Sequence, residues 1–250
     1  MKLDKQIAVI TGGASGLGKA CVQLLSSHKV EVVIWDKNPD VQMTGKGIHF
    51  FACDIRSEEE VERVMHETVS TIGVPRIGIN CAGIAPAKRM VGKEGAMPLQ
   101  AFKDVIEVNL VGSFNVMRVL AAAIIQADHN ESTTGGVIIN TASIAAFEGQ
   151  IGQLAYSASK GGIVSMTLPA ARELAQHAIR VNTIAPGLMA TPMLLSMPEE
   201  IQKSLAATVT FPQRLGRPEE FALLVKHLIE NEFINGEVIR LDGALRMQAR

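Results

Sequence analysis

The chain has 250 residues, a formal net charge of −1, 47 % apolar and 20 % charged residues, and 4 % aromatics. This composition excludes a disordered chain and gives enough length to bury a sizeable core. The near-zero charge and scarce aromatics argue against a nucleic-acid surface or a basic membrane-docking face.

Three cysteines, Cys21, Cys53 and Cys81, form no CxxC pair and no even set. A reducing compartment is the simplest reading. The N-terminal MKLDKQ leads at once into an apolar run, leaving no room for a leader, and no uninterrupted apolar run is long enough for a membrane span. A cytoplasmic protein with no membrane contact is expected.

Residues 7–11 read as a first strand, followed by the glycine string TGGASGLG and a helix over 17–26. Glycines such as Gly12 and Gly18 allow a tight turn and let backbone approach a pyrophosphate. The helix then aims its free N–H groups at those phosphates. Such a string alone is as often a plain turn; lying between strand and helix, it reads as a dinucleotide site. The second strand, 31–35, ends at Asp36. A carboxylate there can accept both adenosine-ribose hydroxyls and repel a 2′-phosphate, which favours NAD over NADP. Lys37 weakens that preference, because a nearby cation tolerates a phosphate; a plain strand-end turn is the other reading of Asp36.

The third strand, 48–53, ends beside Asp54, which either faces an adenine or caps the helix over 58–72 together with Ser57. The fourth strand, 77–80, runs into Cys81-Ala82-Gly83, small residues against which a cofactor can lie; a buried structural Cys81 is equally compatible. The loop 84–98 is longer than such units need. One helix is expected over 99–128. A strand over 136–140 then ends shortly before Ser143.

The helix over 153–177 carries Tyr156 and Lys160 four apart, on one face. A cation close to a phenol lowers its pKa toward neutrality, giving a usable proton donor and acceptor. YxxxK is common on exposed helices, but Tyr156 is the only tyrosine in the chain. Pro169 should kink or divide this helix. After a strand over 180–184, residues 186–213 form a proline-punctuated segment rich in Leu and Met. It is either a surface helix or a substrate lid over 188–213. A helix over 219–230 and a strand over 238–241 close the pattern. Strand and helix alternate throughout, which predicts an α/β fold with a doubly wound parallel sheet of Rossmann type, as a single domain over 1–250.

TGGASGLG, NCAG, Asn109, Ser143, YSASK and Pro186-Gly187 together resemble the short-chain dehydrogenase/reductase family over essentially the whole chain. The segments 136–175 and 235–248 resemble its type 2 3-hydroxyacyl-CoA dehydrogenase branch, whose members also act on hydroxysteroids. The resemblance implies roles residue by residue. Tyr156 is the general acid/base, Lys160 tunes it and holds the nicotinamide ribose, and Ser143 orients the reacting oxygen. Asn109 holds a water that relays protons to Lys160. Ser15 and Leu17 line the pyrophosphate, and Asp54, Ile55 and Cys81 the adenine side. Met189 and Thr191 close over the nicotinamide, and Gln153 meets substrate. Ser143 and Asn109 also admit bland readings, a strand-end hydroxyl and a helix residue.

The expected activity is an NAD-dependent interconversion of secondary alcohol and ketone, with a small-molecule acyl-CoA substrate. A hydroxysteroid or another small alcohol is the alternative, and a non-catalytic NAD-binding scaffold the reading of another class. No metal site is expected. Apolar residues around much of the helices over 105–126 and 153–175 imply buried partner faces, and the resemblance implies a homotetramer.

Overall fold

The computed structural model describes residues 1–38, 43, 45–127 and 135–249. The end of the helix expected over 99–128, at Asp128, lies outside them, as does Pro39 after Asn38. In chain order the strands are β1 (Ile7–Thr11), β2 (Glu31–Asp36), β3 (Ile48–Ala52), β4 (Ile77–Asn80), β5 (Val91–Gly92), β6 (Gly95–Ala96), β7 (Gly136–Thr141), β8 (Ile179–Pro186) and β9 (Val238–Leu241). The helices are α1 (Gly16–Ser27), α2 (Glu58–Thr71), α3 (Leu99–Ile106), α4 (Gly112–Gln126), α5 (Leu154–Leu174), α6 (Pro192–Leu195), α7 (Glu199–Ala207) and α8 (Pro218–Glu230).

Seven strands form one sheet in the order β3-β2-β1-β4-β7-β8-β9, every pairing parallel. The short apolar runs serve this sheet because both of its faces are covered. Alternate residues supply the two faces, so Val137 and Ile139 join α1 and α8, while Ile138 joins α2 and α4 on the other side. From β1 the chain winds outward to β2 and β3; from β4 it winds the opposite way. The carboxyl ends of β1 and β4 therefore flank a crevice, the place where such sheets bind ligands. The hairpin β5–β6 lies in the long loop after β4 and is exposed throughout.

The single helix expected from residue 99 runs without a break to Gln126, with a π turn over Glu107–Val111 set between α3 and α4. Asn109 lies in that turn, fully buried, and its side-chain amide bonds the loop after β4. Such turns insert an extra residue and occur often at functional sites. Pro169 does not divide α5, which runs through it without interruption. Pro169 and Ser165, whose carbonyl loses its helical partner, are both exposed, so water can satisfy the freed group, while Ile163, Thr167 and Ala171 hold the other face in the core. Leu99–Gln126 is long and apolar enough to cross a membrane by length and composition alone; half of its most apolar window is buried in this fold, as in a core helix.

Arg180 on β8 is a buried cation that no strand pattern reveals. Its guanidinium donates to the carbonyls of Leu228, Ile229, Asn231 and Ile234 at 2.7–3.1 Å, closing the C-terminal end of α8. Arg180→Met should orphan these buried acceptors and cost about 3–5 kcal/mol. Thermal unfolding should then show Tm lowered by roughly 10 °C; an unchanged Tm would show that water replaces the guanidinium freely.

Candidate active site

The glycine loop is shaped by close approach. Gly12 has φ +66°, and a Cβ there would lie 2.8 Å from Ala82 Cα at the end of β4. A Cβ on Gly18 would strike the Gly12 carbonyl oxygen. Only glycine lets α1 begin so close to the strand ends. Ser15 is the N-cap of α1, yet its hydroxyl makes no capping bond, which leaves it available beside the helix N-terminus. Leu17 packs partly against the core. Thr191 closes the loop from above: a Cβ on Gly16 would lie 3.5 Å from its methyl carbon. Met189, two residues earlier, is buried and bridges to Gly216.

Below the loop, a buried polar chain ties three strands together. Asn80 Nδ2 donates to Asn140 Oδ1 at 2.8 Å, and the Ala82 N–H donates to Thr11 Oγ1 at 3.2 Å. Thr11 Oγ1 also reaches Asn80 Oδ1 at 3.5 Å. Sequence reading missed Thr11, Asn80 and Asn140; the only available signal was polar residues at the ends of otherwise apolar strands.

At the carboxyl end of β2, Asp36 Oδ2 accepts the Ala14 N–H at 3.1 Å and Oδ1 accepts the Asn38 N–H at 3.0 Å. The carboxylate is thereby fixed at the edge of the glycine loop. Asp54 is not the cap of α2: Ser57 is, accepting the Glu60 N–H. Instead Asp54 pairs with Arg56 through both carboxylate oxygens and with Lys37 at 2.6 Å. The Arg56 hydrogen bond, with Lys37 beside it, holds the Asp54 carboxyl well below the usual carboxylate range, against the effect of its partial burial. Ile55 turns its side chain into the core against Gly112, and its carbonyl is taken by Asn115 at 3.0 Å. Cys81 packs at the edge of the core and accepts from Thr141 Oγ1 at 3.6 Å.

The residues expected to take part in the reaction gather where β7 ends. Ser143 caps a 3-10 turn, its Oγ accepting the Ala145 N–H at 3.1 Å, and its side chain neighbours the Tyr156 phenol, whose pKa it draws down. Tyr156 and Lys160 share one face of α5, with Lys160 Nζ 5.7 Å from the Tyr156 ring centroid. Nζ donates to the Thr141 carbonyl at 2.7 Å. Asn109 Nδ2 donates to Ser159 Oγ at 3.0 Å and to the Ile84 carbonyl, while Oδ1 accepts the Ile84 N–H. A Cβ placed on Gly83 would lie 3.1 Å from Asn109 Oδ1 and 3.7 Å from Lys160 Nζ, so these two groups border one small space. Ser159 was missed although it stands inside YSASK.

The electrostatics correct one expectation. Burial pushes the Tyr156 phenol above its ordinary value, with the Ser143 side chain pulling partly back. Burial also lowers Lys160, to about 8. Lys160 is bonded to Thr141 rather than to the phenol, so desolvation outweighs the expected lowering of Tyr156. The free protein thus holds a neutral phenol, a proton donor, at neutral pH.

Gln153 precedes α5, and its Oε1 accepts the Gln150 N–H at 3.0 Å. The C-terminal tail crosses this loop: the Ile151 N–H donates to the Ala249 carbonyl, and Arg240 forms a two-pronged pair with Glu148. No local sequence signal places the tail here.

The profile of the short chain dehydrogenases matches residues 6–202. The chain belongs to this family. Members are oxidoreductases that use a nicotinamide cofactor, and the crevice fits one: the Gly12–Gly18 cradle admits backbone-close phosphates, with Asp36 held beside it. The short-chain dehydrogenase here is 50 % identical to the 3-hydroxyacyl-CoA dehydrogenase type-2 of Bos taurus over 97 % of this chain and 95 % of that one. The Drosophila melanogaster protein of the same name is 45 % identical over 98 % and 99 %. The solved 3-hydroxyacyl-CoA dehydrogenase type-2 of Mycobacterium avium superposes with a TM-score of 0.92 at 38 % identity, covering all of both chains.

Proposed function

We propose that this dehydrogenase uses NAD and interconverts short-chain 3-hydroxyacyl-CoA and 3-ketoacyl-CoA. The observation that carries the reading is the convergence of Ser143, Tyr156 and Lys160 beside the glycine cradle. Relatives named for that substrate, similar over nearly full length, support it. Asp36 at the adenosine end favours NAD. When bound, the cofactor supplies or accepts the hydride and, in its oxidised form, carries a positive charge. The remaining work falls to the chain. Ser143 Oγ orients the substrate oxygen, and Tyr156 Oη gives that oxygen a proton in reduction or takes one in oxidation. Lys160 holds a cation under the phenol and connects it to the space bordered by Asn109. Met189 and Thr191 would cover the nicotinamide, and Gln153 would meet the substrate.

The segment over 188–213 suits a lid. Its helix α7 buries no residue, and Met193, Leu195, Met197 and Ile201 are exposed, while Leu194 is the buried contact of α6. Closure of such an apolar segment excludes water from the reacting carbon. Lys88, Arg89 and Lys93 are exposed in the neighbouring loop, which is tied to the substrate side by the Lys88 N–H on the Gly152 carbonyl. In this reading they meet the phosphates of coenzyme A. The expected result is faster NADH formation from 3-hydroxybutyryl-CoA than from free 3-hydroxybutyrate or a steroid alcohol, by kcat/KM. Reversing the charge of Lys88, Arg89 and Lys93 should raise KM for the thioester alone. A steroid or the free acid as the far better substrate would overturn the acyl-CoA assignment and leave the dehydrogenase in place.

The second helix face extends the reading to assembly. Val111, Phe114, Ile125, Leu154 and Leu168 are exposed apolar residues of the π turn, α4 and α5, and a helix apolar all round requires burial. A homotetramer with two-fold interfaces would cover them. Light scattering at micromolar concentration should give four times the chain mass; a stable monomer would defeat this.

A further inference from the structure

Lys37 follows Asp36 directly, at the place where a 2′-phosphate on the adenosine ribose would arrive. A cation there ordinarily welcomes that phosphate. In this fold it is held elsewhere. Parallel pairing sets Asp36 opposite Ala52 on β3, and Asp54 lies two residues further on. The Cys53 N–H donates to the Asp36 carbonyl at 3.2 Å, so the two strand ends stay in register. This brings Asp54 Oδ2 to 2.6 Å from Lys37 Nζ. Asp54 is only 20 % exposed while Lys37 is 51 % exposed, so the anchor is the carboxylate and the lysine bends to it. Arg56 grips both oxygens of the same carboxylate, and the Glu60 side chain accepts the Asp54 N–H at 2.7 Å. The anchor is therefore fixed on three sides.

The charges decide what this does. Asp36, Asp54 and Glu60 are three carboxylates, Lys37, Arg56 and Arg63 three cations, and they cancel. A dianionic 2′-phosphate would meet no net attraction, with the Asp36 carboxylate nearest. Removing the charge of Asp54 alone would leave one net positive charge and a released lysine beside the ribose.

We propose that Asp54 is a specificity-determining residue for the cofactor, acting by holding Lys37 in an ion pair so that it cannot receive the 2′-phosphate of NADP. The proposal rests on the NAD reading above. It gives Asp54 a task of its own beside an adenine contact, with Lys37 as its partner.

The test is binding of NADH and NADPH to the full-length protein, followed by nucleotide fluorescence. Wild type should bind NADH more tightly. Asp54→Asn should tighten NADPH by about tenfold, the scale of one unscreened charge contact near a surface. Adding Lys37→Ala to that variant should abolish the gain. Lys37→Ala alone should leave NADPH affinity within twofold of wild type, because the lysine is already withheld; this variant keeps the test decisive if Asp54→Asn folds poorly. Wild-type preference for NADH with no NADPH gain in Asp54→Asn, or a gain that survives loss of Lys37, overturns the inference and leaves the NAD reading intact. A marked loss of NADPH binding in Lys37→Ala alone overturns it equally. Equal affinity of wild type for both nucleotides overturns the NAD reading and the inference with it.

Discussion

Tyr156→Phe should lower kcat by about 10²–10⁴-fold, the worth of a positioned proton donor, while nucleotide affinity changes little. The ring keeps its packing at the start of α5, and Lys160 keeps its bond to Thr141. What disappears is the hydroxyl that neighbours Ser143 and carries the transferable proton. Because burial raises the phenol above its ordinary value, the free protein stores that proton at neutral pH, and kcat/KM should fall by the same factor in both directions at pH 7, since the substitution leaves the equilibrium constant unchanged. The measurement is steady-state turnover in both directions beside fluorescence titration with NADH. Near wild-type kcat would remove Tyr156 from the mechanism, and with it the argument built on Ser143. A drop in kcat together with a large loss of nucleotide binding would instead mark the residue as part of the cofactor wall.

Much of this site is readable from the chain because strand ends are local features. The glycine string, Asp36, Cys81 and Ser143 each fall where a short apolar run stops, and parallel strands bring their carboxyl ends to one edge. YSASK is legible because helical spacing alone puts Tyr156 and Lys160 on one face. The features that escaped reading depend on what folds against what. The π turn at Asn109 arises from an amide that bonds a loop twenty-five positions earlier in the chain, and no periodicity within 99–128 encodes it. The pairing of Lys37 with Asp54 depends on the register of β2 against β3. The direction of the Tyr156 shift depends on how deeply α5 is covered, which spacing does not report. The C-terminal tail over Gln150 and Ile151 is set by the Arg240–Glu148 pair, ninety-two positions apart.

Lys160→Met should separate activity from stability. The lysine is 5 % exposed, and burial lowers its pKa to about 8 from 10.5. Between those values the unfolded chain holds more protons than the folded one, so the contribution of Lys160 to stability rises with pH from about 8 to 10.5. At pH 7 both states are protonated, and the cost of burying the charge stands in full, at most about 3 kcal/mol. Methionine has similar volume and no charge. It loses the bond to the Thr141 carbonyl, which offsets about 1–2 kcal/mol. The variant should therefore melt at the same temperature as wild type or up to about 5 °C higher at pH 7. That advantage should shrink or reverse by pH 10, where wild-type Lys160 is largely neutral in the fold and gives up less. Activity should move the other way, falling at least about 10²-fold, because the phenol loses the cation beneath its ring and the group that meets the space beside Asn109. Differential scanning fluorimetry at pH 7 and pH 10, with turnover assayed on the same samples, reads both effects. A Tm several degrees below wild type at pH 7 would show that the lysine supports the fold more than its burial opposes it.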